Sequence, residues 1–205
     1  MKLGKQQTLL ALVMVLALLA SGCTAKPFLK VQYQLPPQSN SLKGEKSALT
    51  VSDLRENKTI LTEAAKESLK EFNETFSLVV LRDDGSGNLI GVYDFTPFLT
   101  EVFQQRLKNE GIEVSEITEA NALHLTVEVS DFKLDVAGRK WIVRMDYRAE
   151  LSDNGNVLSK ESVSGQAERL KLSAKSDAEK ILGELLTDMV NKLNLVRLFQ
   201  QARQQ

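Results

Sequence analysis

The only cysteine of this 205-residue chain, Cys23, stands just past an uninterrupted apolar run from Leu9 to Ala20. Lys2 and Lys5 precede the run, and Ala20, Ser21 and Gly22 lead into the cysteine. Twelve helical residues rise about 18 Å, well short of the roughly 30 Å hydrocarbon core of a bilayer. A basic start, a short apolar centre and a small-residue exit are the parts of a secretory signal, so residues 1–22 are expected to be removed after export. One cysteine cannot pair within the chain, which excludes an internal disulfide framework. Apolar residues make up 42% of the chain and charged residues 26%, with a net charge of −1. Such a chain folds into a core, and it lacks the overall basic balance of a nucleic-acid binder.

The Ala20-Ser21-Gly22-Cys23 sequence resembles a bacterial lipoprotein signal, the lipobox, although Ala20 stands where Leu is usual and Leu19 is one place further back. The resemblance implies cleavage between Gly22 and Cys23, a diacylglyceryl group on the thiol and an acyl group on the freed amine. One acyl chain holds a protein only reversibly, whereas three give stable anchoring. Loss of the signal removes two lysines and no acids, leaving 24 basic and 27 acidic residues. Thr24 follows the cysteine, and the absence of Asp there implies outer-membrane sorting, with the protein facing the periplasm.

Residues 23–46 are expected to form the lipidated cysteine and a flexible linker. Pro27, Pro36, Pro37, the polar run from Gln38 to Ser41 and Gly44 interrupt any sustained period. A tether of this kind spans about 25–30 Å. Phe28, Leu29, Val31, Tyr33 and Leu35 offer the alternative of an edge strand.

Residues 47–205 are expected to form a single domain, long enough for one core. Alternating apolar residues predict strands at Ala48–Leu54, Phe76–Leu81 and Leu89–Phe95, the last two joined by the Asp83–Asn88 turn. Thr59–Phe72 reads as a helix with Ile60, Leu61, Ala64, Ala65 and Phe72 on one face. A further helix opens at Thr96 and Pro97, buries Leu99, Val102, Phe103 and Leu107, and stops at Gly111. Leu123, Leu125, Val127 and Val129 then alternate, and the phase slips to Phe132, Leu134 and Val136. That slip predicts a bulge near Ser130-Asp131. Trp141–Leu151 is a second alternating strand, Asn154-Gly155 a hairpin turn, and the more polar Val157–Leu172 a strand toward an edge. Ser176-Asp177-Ala178-Glu179 fits a capping box before the apolar stripe Ile181–Leu193. The expected fold class is α+β, an antiparallel sheet with helices packed on one face.

Catalytic chemistry is sparse. His124, the only histidine, alternates with Leu123 and Leu125 and reads as a solvent-facing strand residue. One histidine and a lipidated cysteine are too few for an ordinary zinc site, and the Asp83–Asn88 turn lacks the ligand spacing of a calcium loop. Asp131 with Asp135, and Asp146 with Glu150, read as a solvated strand face rather than acid–base pairs. Arg139, Lys140, Arg144 and Arg148 form a basic line whose neighbouring acids weaken any anion site. No catalytic residue, metal or cofactor is expected. Leu195, Val196, Leu198 and Phe199 extend apolar character past the last helix and either close the domain or dock a partner.

Taken with the lipobox, the domain resembles the YajG-like family of bacterial lipoproteins. The resemblance rests on Leu49–Arg55, Phe98–Phe103, Asn109–Val114, the strands around Asp146–Ala149 and the final amphipathic helix. The stretch Thr59–Phe72 departs from that pattern. The family implies an outer-membrane lipoprotein without catalytic residues to carry over. The expected function is a non-enzymatic accessory protein for an envelope complex, with a lipid- or glycan-binding module as the alternative.

Overall fold

The computed structural model describes residues 27–115 and 123–204. The signal, its cleavage site at Gly22 and the lipidation site at Cys23 lie outside the described residues. The class is α+β, built as a three-stranded and a five-stranded sheet around one buried core. The elements in chain order are β1 (Leu29–Gln34), β2 (Lys46–Asp53), α1 (Glu63–Ser68), β3 (Phe76–Leu81), β4 (Gly87–Tyr93) and α2 (Phe95–Asn109). They continue with β5 (Glu113–Ser115), β6 (Leu123–Ala137), β7 (Lys140–Asp153), β8 (Asn156–Leu170), α3 (Ala174–Lys192) and α4 (Leu195–Ala202).

The larger sheet runs β5-β2-β6-β7-β8 and the smaller β1-β3-β4. Period-two burial fixes the register of the long strands. Trp141, Val143, Met145, Tyr147, Ala149 and Leu151 of β7 are buried, and the residues between them face outward. The expected bulge falls between Val129 and Asp131, and keeps Phe132 and Leu134 on the core side. Asn154 and Gly155 both have positive φ, 48° and 83°, as a two-residue hairpin of this twist requires. β8 lies at the sheet edge, as its polarity predicted.

The pairing is mixed rather than purely antiparallel, because β2 runs parallel to β5 and β6, and β1 parallel to β3. Alternation reports which face is buried and is blind to strand direction. β3 is the exception that carries a signal: Phe76 through Val80 are all buried, the continuous run of a strand covered on both faces.

Three expectations are corrected. The linker assigned to residues 23–46 belongs to the folded body from Pro27 onward, since Leu29, Val31 and Tyr33 of β1 are buried. The edge-strand alternative describes this segment. The helix expected over Thr59–Phe72 is confined to Glu63–Ser68. Ile60–Thr62 stays extended because it pairs with β6 beyond the bulge, with Leu134 N donating to Ile60 O at 2.9 Å and Thr62 N to Leu134 O at 3.1 Å. Thr62 Oγ1 then caps α1 by accepting from Ala65 N. α2 begins at Phe95, two residues ahead of Pro97, with Asp94 rather than Thr96 at the N-cap; Phe95 is itself buried, against Phe132 at 4.9 Å between ring centroids. Its stop at Gly111 is as expected: φ is +87°, and Ile112 N reaches back to Leu107 O.

α2 packs against β2, β3 and β4, α3 against β1, β7 and β8, and α4 against β7 and β8. α3 starts after Ser173, three residues before Ser176. Asp177 holds that turn by accepting from Leu172 N and Ser173 N at 2.8 and 2.5 Å. Those backbone N–H groups and Arg169 hold its carboxyl below the usual carboxylate range.

Candidate functional site

Two sheet edges receive opposite treatment. β1 is an edge strand whose outer backbone would be open to pairing, but α3 lies along it. Lys30 N donates to Glu179 Oε1 at 2.9 Å, Gln34 N to Thr187 Oγ1 at 3.0 Å, and Asn191 Nδ2 to Gln34 O at 3.0 Å. Between those contacts sits Gly183, where a Cβ would stand 2.5 Å from Gln32 O. Glu179, Gly183, Thr187 and Asn191 recur every four residues, one ridge of α3. This ridge supplies polar caps where the strand needs them and bare backbone where it comes closest.

β4, at the other end of the same sheet, has no such cover among the described residues. It is bonded to β3 alone, and its Leu89 and Val92 are 67% and 50% exposed. The register shift opposite Leu78/Val79 brings Leu89 and Val92, the partners of Val79 and Ser77, to the same face of the strand. Beside β4 lies an open cleft of about 540 Å³ with Arg82, Asp84, Ile90, Gln105 and Lys108 in its wall. An uncovered strand with apolar side chains is a template for an added strand.

A second cleft, of about 300 Å³, opens where the described chain begins. Phe28, Leu69 and Phe72 line its apolar part, and Lys70 and Lys175 its polar part. Pro27 is fixed there, its carbonyl accepting from Asn73 N at 3.0 Å.

Of the two readings of Leu195, Val196, Leu198 and Phe199, closing the domain holds and an exposed docking patch does not. Leu195, Leu198 and Phe199 are buried, and Val196 is half-buried. Asn194 caps α4 by accepting from Arg197 N, and Leu198 O accepts from Ser159 Oγ, so the helix closes the domain against β8. His124 is half-buried rather than freely exposed, its Nε2 2.8 Å from Thr50 Oγ1 on the neighbouring strand. Asp131 is paired with Arg144, and Asp135 accepts from Thr62 Oγ1, which separates them in role. Arg148 bridges Glu128 and Glu150, and Lys140 meets Glu168, so the basic line is interleaved with carboxylates. The Asp83–Asn88 segment closes as a hairpin turn, with Ser86 N donating to Asp84 Oδ1 and Arg82 N to Ser86 O. No group of three or more metal-ligating side chains occurs among the described residues.

The open edge of β4 escaped the sequence reading. Leu89–Tyr93 carries a strand signal, but nothing local tells an edge from an interior position.

No family model and no curated protein sequence matches the chain, so the YajG-like resemblance is not reproduced at that level. Solved structures do match. A Xanthomonas campestris protein of the DUF330 family is 14% identical, with a TM-score of 0.48 over 88% of this chain and 100% of that one. A minor lipoprotein from Acinetobacter baumannii is 12% identical, with a TM-score of 0.42 over 78% and 94% of the two chains. Rare lipoprotein B from Shewanella oneidensis is 9% identical, with a TM-score of 0.41 over 78% and 95%. Two of these three neighbours are thus named as lipoproteins.

Proposed function

We propose that this protein is a non-enzymatic accessory lipoprotein, anchored through Cys23 in the outer membrane and facing the periplasm, that docks an envelope protein by strand addition at β4. The observation that carries the reading is the contrast between the two edges of one small sheet. One edge is capped along its length by Glu179, Thr187 and Asn191, and the other presents Leu89 and Val92 to solvent. Soluble folds suppress edges that would pair with other chains, so an edge left open beside one so fully covered is read as a working surface. The anchor part of the proposal rests on Ala20-Ser21-Gly22-Cys23, and the outer-membrane part on Thr24. Membership in the YajG-like family belongs to the same proposal, resting on the residues quoted for it above.

Photo-crosslinking in intact envelopes tests the docking. A photoreactive residue at position 89 or 92 is expected to yield one dominant protein adduct. The same residue at Arg148, on the outer face of the larger sheet, is expected to yield none. Equal or absent labelling at all three positions overturns the β4 reading. The alternative, a lipid- or glycan-binding module, is favoured by one observation, the cleft floored by Phe28 and Phe72. Lipid or glycan recovered with the purified protein, without a protein adduct, would put it first.

A further inference from the structure

We infer that the pole of the domain formed by Pro27, the end of α1 and Leu170–Leu172 rests directly on the phospholipid surface. This inference depends on the anchor reading of Cys23 and goes beyond it by assigning the domain an orientation. Only Thr24, Ala25 and Lys26 separate Cys23 from Pro27. Four Cα–Cα steps cannot exceed about 14 Å even fully extended. The folded body has a radius of gyration of roughly 16 Å, so a tether this short cannot let the domain turn its far side to the bilayer.

The pole is one contiguous surface. Asn73 N holds Pro27 O, and Lys171 Nζ reaches Ser68 Oγ at 2.7 Å. Lys171 N reaches Arg139 O, and Lys175 Nζ lies 5.9 Å from the centre of the Phe28 ring. From this surface project Leu172, 82% exposed and the most exposed large apolar side chain among the described residues, and Leu170, 59% exposed. The apolar cleft of Phe28, Leu69 and Phe72 opens on the same side. Leucines that project beside lysines are the pattern of a surface that enters the headgroup layer: the aliphatic groups go in, and the ammonium groups stay at phosphate level. Glu67 and Glu71 line the same cleft, so attraction by net charge is not what seats this pole. Tether length and the apolar projections do.

The far end of β7 supplies the control. That strand is 14 residues long, which puts the Asp153–Asn156 turn about 45 Å from Lys140 and the pole. In the mature lipidated chain Cys23 carries no free thiol, so Leu172→Cys or Asn156→Cys would each create a single labelling site. The experiment reconstitutes both labelled proteins in vesicles of phosphatidylethanolamine and phosphatidylglycerol containing nitroxide-labelled lipid. Fluorescence at position 172 is expected to be quenched several-fold more than at 156, with the reverse order for an aqueous quencher. If the proteins float with the vesicles and carry a modified Cys23, but both positions respond alike, the orientation is wrong and the anchor stands. If position 172 is shielded from lipid and aqueous quenchers together, a protein covers the pole and the inference is overturned. If neither protein floats and mass spectrometry finds Cys23 unmodified, the anchor reading falls and takes the orientation with it.

Discussion

Arg106 and Glu110 form an ion pair at 2.6 Å with their side chains only 8% and 9% exposed, one turn apart at the end of α2. Among the described residues Arg106 Nε and Glu110 Oε2 have no further hydrogen-bond partner, so the two charges depend on each other. Arg106→Ala would strand a buried carboxylate and is expected to cost about 3–5 kcal/mol, whereas replacing both by apolar residues of similar volume should recover most of it. Urea denaturation of the three proteins checks this. Near the surface, Asp53 shows the opposite economy. Burial alone would raise its carboxyl, but hydrogen bonds from Arg55 and the charges of Arg55 and Lys58 hold it below the usual range. A carboxyl depressed in the folded state contributes stability above its unfolded value of about 3.9 and loses it as pH falls through the folded value. The urea midpoint should therefore drop below about pH 4, and drop less steeply in Asp53→Asn. Equal slopes would show that other groups govern acid unfolding. Neither arrangement was legible beforehand. Arg106 and Glu110 carry the spacing of any exposed helical pair, and only tertiary packing buries them. Arg55 folds back over the Phe95 ring at 4.0 Å, and that ring lies 40 positions along the chain.

At the scale of elements, local chemistry was readable and remote chemistry was not. The β6 bulge, the Asn154-Gly155 turn and the Gly111 stop are each determined by residues within a few positions. β1 looked like a linker because its burial depends on α3, with Lys30 and Glu179 149 positions apart. For the same reason nothing local decided whether Leu195–Phe199 closes the domain or docks a partner, since β8 covers it from 39 positions away at Ser159. The extended Ile60–Thr62 segment also needs a remote partner, the backbone of Leu134. α3 permits a direct test of how closely it must approach. Gly183→Ala improves helix propensity by about 1 kcal/mol, yet its Cβ would meet the Gln32 carbonyl, a backbone atom with no rotamer to yield. Overpacking of this kind costs about 1–3 kcal/mol. A net loss of stability in Gly183→Ala is expected by thermal or urea unfolding. A gain would mean that α3 sits further from β1 than described.

At the scale of the whole molecule, the proposals to test are an attachment point at Cys23 and a docking edge at β4. Cys23→Ser should move the protein from the membrane to the soluble periplasmic fraction, as fractionation followed by immunoblotting would read. Retention in the membrane would sink the anchor. Leu89→Lys, in a protein carrying the photoreactive residue at position 92, should leave the stability within about 0.5 kcal/mol of the parent protein, because Leu89 and Val92 are both exposed, while abolishing the β4 crosslink. Loss of the crosslink together with a large loss of stability would mean that these residues serve packing instead.

The ridge of α3 against β1 also has a consequence in time. Gln34 and Thr187 are 153 positions apart, so the first strand of the folded body to be made is secured by nearly the last helix. A chain exported with its N-terminus leading would carry β1 across long before α3 arrives, and α3 would cover β1 only after every strand of both sheets had crossed. In the anchored protein proposed above, Cys23 would therefore meet its modifying enzymes on a chain that is still open. Contacts of such long sequence separation also make for slow folding. A chain cut short before Ala174 would keep β1 permanently uncovered, a product suited to quality control rather than to assembly.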